Sequence, residues 1–183
     1  MSEPTWDEVR DRWVANVTWA EKLNGAVGAF LVAHVRLDED LRQALARCIL
    51  PEVTVAESHD RLLRYGIAGL TFEQTRSALE RFAKDHGLAD AKPRLARCRE
   101  LNELRNAIAH SVLRTDPDAL TLDVEPTYVV APFDRRCRRV TIAELVENRQ
   151  ELWNLGMELG ELFARFAYDR ATSAQRPDET VTK

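Results

Sequence analysis

The sequence predicts an all-α fold: a helical bundle with a small β-hairpin inserted before the last long helix. Three observations carry this. Four segments, Thr5-Trp6-Asp7-Glu8, Thr54-Val55-Ala56-Glu57, Thr71-Phe72-Glu73-Gln74 and Thr141-Ile142-Ala143-Glu144, fit a capping box. There the threonine oxygen accepts a backbone N–H three residues on and the Glu or Gln side chain reaches back. Apolar residues recur at three- and four-residue steps over most of the chain, the mark of a helix burying one face. One segment alternates with period two: Leu120, Leu122 and Val124 against Thr121, Asp123 and Glu125, as a strand with one buried face would.

The elements follow in order. After Thr5, the positions Trp6, Val9, Trp13, Val17 and Ala20 mark one buried helical face, which continues through Leu23, Val27 and Phe30 to about Val35. Gly25 and Gly28 are candidates for a bend or a close helix approach. A second helix is expected over 38–49, stopped near Pro51, and others over 54–65, 71–85 and about 91–113, with Gly66, Gly69 and Gly87 at the breaks. Asp116-Pro117-Asp118 closes the helical stretch. The hairpin is expected within about 119–140, its second strand at 128–131 or 136–140. The final helix starts at Thr141 and reaches about Arg170, with Leu145, Leu152, Leu155, Leu159, Leu162 and Phe166 as its apolar stripe. One domain over 1–170 is expected, followed by a polar, disordered tail over 171–183.

At 183 residues, 45% hydrophobic and 31% charged, the chain has the composition of an ordinary globular domain large enough to bury a core. Its net charge of −4 gives no global attraction for a polyanion, so any nucleic-acid site must be a local basic patch. Cys48, Cys98 and Cys137 are odd in number and far apart; they indicate neither a disulfide framework nor a zinc site, and buried thiols in a reducing cytosol are the expectation. The other histidines, His34, His59 and His86, have no metal-ligand spacing, and no metal or cofactor is expected. An acidic start bearing Trp6 and Trp13 is wrong for a signal peptide. The longest apolar run, Gly25–Ala33, is nine residues, too short to span a bilayer. A cytoplasmic protein without a membrane partner is expected. The four tryptophans sit in helical stretches, and packing is their expected role rather than base stacking.

The most informative stretch is Arg105-Asn106-Ala107-Ile108-Ala109-His110, within a strongly helical segment over 94–114. Arginine stays charged and clamps phosphate with a planar fork of donors. Histidine exchanges protons near neutral pH. Leu104-Arg105-Asn106, followed by Ala109-His110-Ser111, resembles the Arg-x4–6-His signature of HEPN-domain ribonucleases, with the polar residue that commonly follows the arginine. The matched core is roughly 101–112, and the helical arrangement over 5–170 is compatible with it. The resemblance implies a HEPN-like bundle and metal-independent cleavage of RNA to a 2′,3′-cyclic phosphate. It also implies a homodimer gathering the motif helices at its interface, and a role in toxin–antitoxin or antiviral defence with an antitoxin as partner.

On a helical wheel Leu101, Leu104, Ile108 and Val112 face the core, Arg105 lies at the edge of that arc, and Asn102, Asn106 and His110 follow it. Arg105 and His110 stand about 140° apart, so a second copy of the helix across a two-fold axis would help aim both at one phosphate. In this reading an RNA 2′-hydroxyl attacks phosphorus, His110 transfers a proton, Arg105 stabilises the developing charge, and Asn106 orients His110 or holds the phosphate. Activity should fall at both pH extremes if two titrating groups cooperate. Arg94, Arg97 and Arg99, with Lys92 and Asn102, and Arg135, Arg136, Arg138 and Arg139 in the hairpin, are candidate RNA contacts; solvated charged faces are the alternative. Two competing readings remain. One is a catalytically inactive HEPN-like module that binds nucleic acid or protein. The other is an unrelated bundle in which Arg105 pairs with Glu100 or Glu103 and His110 merely ends a helix.

Overall fold

A computed structural model describes residues 5–50, 66–115, 128–132 and 138–174 of the chain. The chain is helical in the main. Helix α1 spans Trp6–Ile49, α2 Phe72–Asp85, α3 Ala91–Ala109 and α4 Ile142–Ala174. Three antiparallel strands, β1 (Ser111–Thr115), β2 (Tyr128–Pro132) and β3 (Arg138–Val140), lie between α3 and α4 in the order β1-β2-β3.

The caps form where the threonines predict them. Thr5 N–H donates to Glu8 Oε2 at 2.8 Å while Glu8 N–H donates to Thr5 Oγ1 at 3.4 Å. Thr71 and Gln74 close the same reciprocal pair at 2.8 and 3.3 Å, and Glu144 N–H donates to Thr141 Oγ1 at 3.0 Å. The box at Thr54, the helix expected over 54–65 and the strand expected at 120–124 lie outside the described residues. Helix α2 ends in a Schellman turn. Gly87 takes φ +69°, Leu88 N–H reaches Ala83 C=O at 2.8 Å, and Gly87 N–H reaches Lys84 C=O at 3.3 Å.

Four expectations need correction. First, α1 is one helix of 44 residues rather than two. Among the described residues a Cβ at Gly25 or Gly28 would meet nothing within 4 Å, so none of them approaches the helix there, and Asp38 lies inside it. Second, the early apolar face is not covered: Trp6, Val9, Trp13 and Val17 are exposed, and burial begins at Leu23. The periodicity is real, but within the described residues nothing packs on that half of the face; Trp153 is likewise exposed. Third, α3 stops at Ala109 and the chain turns into β1, so Val112 is a strand residue. No glycine or proline lies between Ala109 and Pro117. The strand arises from pairing of 111–115 with 128–132, a tertiary gain that local propensity does not register. Fourth, α4 runs on to Ala174, past the expected end at Arg170.

The Cα framework divides into two compact units, one of Met1–His34 with Leu101–Glu151, the other of Val35–Glu100 with Leu152–Lys183. In the first unit β2 pairs with β1 and β3 (Leu113 opposite Val130, Val129 opposite Arg139), and Leu23, Phe30, Leu101, Leu104, Ile108, Val140 and Leu145 are buried. The second unit is a helical bundle. Arg42 of α1 donates to the carbonyls of Ala68 and Leu70 at 3.2 and 3.0 Å and to Asp38 at 2.8 Å. Phe82 of α2 meets Phe163 and Phe166 of α4 edge-on at 6.3 and 5.3 Å. Arg94 of α3 meets Glu158 of α4 at 2.6 Å. Leu41, Leu79, Leu95, Leu159 and Phe163 are fully buried there. Phe163, absent from the expected α4 stripe, is more deeply buried than Leu162 or Phe166 beside it.

Candidate active site

The end of α3 positions the candidate residues of the first unit. Leu101, Leu104 and Ile108 are 1%, 1% and 5% exposed. They lock the helix against its core, and the next face then points outward. Arg105 is half-buried at that boundary, and Asn106 and His110 are exposed. His110 lies just past the helix, yet its N–H donates to Asn106 C=O at 3.1 Å. Its backbone therefore continues the helical ladder, and Asn106 and His110, four apart, share a face.

The Arg105 guanidinium donates to Asn106 Oδ1 at 2.9 Å. Its hydrogen-bond partner is thus a neutral amide, and among the described residues neither Glu100 nor Glu103 forms an ion pair with it. Glu100 instead accepts from Arg97 at 2.7 Å. A half-buried cation without a carboxylate retains its capacity to bind an anion.

His34 is a neighbour of Arg105 that sequence reasoning missed. It is buried on α1, hydrogen-bonded to Asn102 and close enough to Arg105 to feel its charge. Burial first, and the Arg105 charge second, bring its pKa from 6.5 down to about 4, against the opposing effect of the Asn102 bond. His34 is therefore neutral near pH 7, so it adds no repulsion to Arg105. Only its burial could be read from the sequence: His34 falls four residues after Phe30 and three before Leu37, on the buried stripe of α1.

The remaining candidates separate. Asn102 is half-buried against His34. Arg94, Arg97 and Arg99 belong to the second unit, where Arg94 is held by Glu158 and by Asp90 C=O at 2.7 Å, Arg97 by Glu100, and Arg99 bears on Glu73. Arg138 and Arg139 lie on β3, and Arg135 and Arg136 lie outside the described residues. Cys48 and Cys98 are buried, and burial pushes the Cys48 thiol up to about 12. Among the described residues, no group of three or more His, Cys, Asp or Glu gathers as a metal site, and no helix is long and apolar enough to cross a membrane. The arrangement sets a half-buried guanidinium and an exposed imidazole at the same end of α3. No protein-family model, no curated protein and no solved structure matches this chain.

Proposed function

We propose that this chain is a metal-independent RNA endonuclease of the HEPN type, working as a homodimer. The observation that carries the reading is the state of Arg105: a half-buried guanidinium steadied by Asn106, with no carboxylate pairing among the described residues, five residues before an exposed His110. The unrelated-bundle reading expects that arginine on Glu100 or Glu103.

The 2′-oxygen of RNA attacks the adjacent phosphorus while the bond to the leaving 5′-oxygen breaks, giving a 2′,3′-cyclic phosphate. His110 takes the hydroxyl proton or supplies one to the leaving oxygen. Arg105 donates to the non-bridging oxygens, whose charge grows in the transition state. Asn106, accepting from Arg105, holds the guanidinium in place. Because Arg105 and His110 diverge around one helix, the second copy would complete the constellation. The resemblance to HEPN proteins extends the proposal to toxin–antitoxin or antiviral defence, with a partner protein restraining the activity.

The test is cleavage of a labelled single-stranded RNA in EDTA, wild type beside Arg105→Ala and His110→Ala. The expected result is cutting by wild type with a cyclic phosphate end, and losses of about 10²–10⁴-fold in each variant. Equal activity in all three proteins would remove both residues from the mechanism. A folded, dimeric wild type that cuts nothing would leave the non-enzymatic binding module as the better reading.

A further inference from the structure

A second site emerges in the other unit, built from α2, the turn after it and the first turn of α3. Helix α2 places Ser77, Arg81 and Lys84 at four- and three-residue steps, hence along one face. The Schellman turn after it brings Leu88 and Ala89 across, and α3 adds Lys92 from its first turn. Together they line a cleft of about 700 Å³. Ala83 and Leu88 form an apolar floor, while Arg81, Lys84 and Lys92 are exposed around it. Among the described residues none of these three cations forms an ion pair. Among the described residues the one carboxylate lining the cleft is Glu80, which pairs with Arg76 at 2.9 Å. Arg76 is buried and also grips Glu73, with its Nε 2.9 Å from that carboxylate. Arg76 is shared by two carboxylates, yet three cations without ion pairs against Glu80 still leave the cleft positive in a chain of net charge −4.

We propose that this cleft binds a nucleoside polyphosphate, its phosphates held by Arg81, Lys84 and Lys92 and its base or sugar resting on Ala83 and Leu88. The dimensions favour a free ligand over a nucleic-acid strand. A concavity of this volume is that of small-molecule sites, about 300–1,000 Å³. A strand-binding groove adds exposed aromatics for stacking, and the described residues of this lining include none. Lys92 therefore belongs with Arg81 and Lys84 rather than with Arg94 and Arg97, which carboxylates already hold.

Isothermal titration of the full chain with ATP, inorganic triphosphate, adenosine and a short single-stranded RNA tests this. ATP is expected to bind more tightly than inorganic triphosphate, and adenosine far more weakly. Arg81→Ala combined with Lys84→Ala, and separately Lys92→Ala, should each weaken ATP about tenfold or more. These side chains are exposed, so the circular-dichroism spectrum and Tm should stay unchanged. Arg105→Ala should leave ATP affinity untouched, which separates this proposal from the nuclease reading. No ATP binding at millimolar ligand, or affinity indifferent to all three substitutions, would overturn it. So would inorganic triphosphate binding as tightly as ATP, or RNA binding more tightly with the same dependence on these residues.

Discussion

His34 is a titratable ring at a position where α1 otherwise buries Phe30, Leu37 and Leu41. Its folded pKa of about 4 lies below the ordinary 6.5. Above pH 6.5 the ring is neutral folded or unfolded and contributes no pH dependence. Between 6.5 and 4 the unfolded chain takes up a proton that the folded chain refuses, so stability falls as pH falls; below 4 the loss is complete. From pH 7 to 4.5 this should cost on the order of 2 kcal/mol. Urea unfolding of wild type and His34→Gln at both pH values checks it. The variant should start about 1 kcal/mol lower at pH 7 and lose less on acidification. Parallel losses would assign the acid sensitivity to other groups. The shared face of Asn106 and His110 was legible because it is local to one helix. His34 was not, because its partner Asn102 lies on another helix, and only packing shows that the two meet.

At the scale of elements, glycines show what sequence can and cannot say. Gly156 and Gly160 are one turn apart on α4 and look equivalent. A Cβ at Gly156 would sit 2.6 Å from Asp40 Oδ2, whereas one at Gly160 would meet nothing within 4 Å. Gly156→Ala forces Asp40 aside, disturbing its 3.3 Å pair with Arg36, and should destabilise by about 1 kcal/mol. Gly160→Ala removes a helix penalty without a clash and should stabilise by about 0.5–1 kcal/mol. Gly25→Ala, in the open middle of α1, should behave like Gly160→Ala. Thermal unfolding reads all three, since about 1 kcal/mol moves Tm by about 2–4 °C in a chain of this size. A Tm that rises in Gly156→Ala would contradict the close approach of α1 and α4. The capped helix starts at Thr5, Thr71 and Thr141 were readable for the opposite reason: each is set by residues within one turn. The end of α3 was hidden because β1 forms through β2, more than ten residues away, with no local breaker at the junction.

At the scale of the whole molecule, the exposed face of α1 ties the fold to the proposed dimer. Trp6 is 79% exposed, Trp13 67%, Val9 42% and Val17 40%. A scattered apolar side chain on a surface needs no explanation, but two tryptophans and two valines at helical spacing form a stripe. Each tryptophan can bury about 150–250 Å². With the valines, the stripe supplies a large part of the roughly 800 Å² per partner that a stable interface removes from water. In the proposed dimer a second copy would cover this stripe, as the divergence of Arg105 and His110 around α3 also asks, and α3 beyond Leu101 lies in the same unit as this part of α1. Sedimentation equilibrium should show a dimer at micromolar concentration. Trp13→Glu should shift it toward monomer by tenfold or more in Kd, about 1.4 kcal/mol at least. Because Trp13 is exposed, Tm measured at concentrations where both proteins are monomeric should hold. RNA cleavage should fall in proportion to the dimer lost, and return as protein concentration is raised. A wild type that stays monomeric throughout would remove the dimer from the proposal. A Trp13→Glu protein that cuts RNA at full rate as a monomer would show that one copy of Arg105 and His110 suffices.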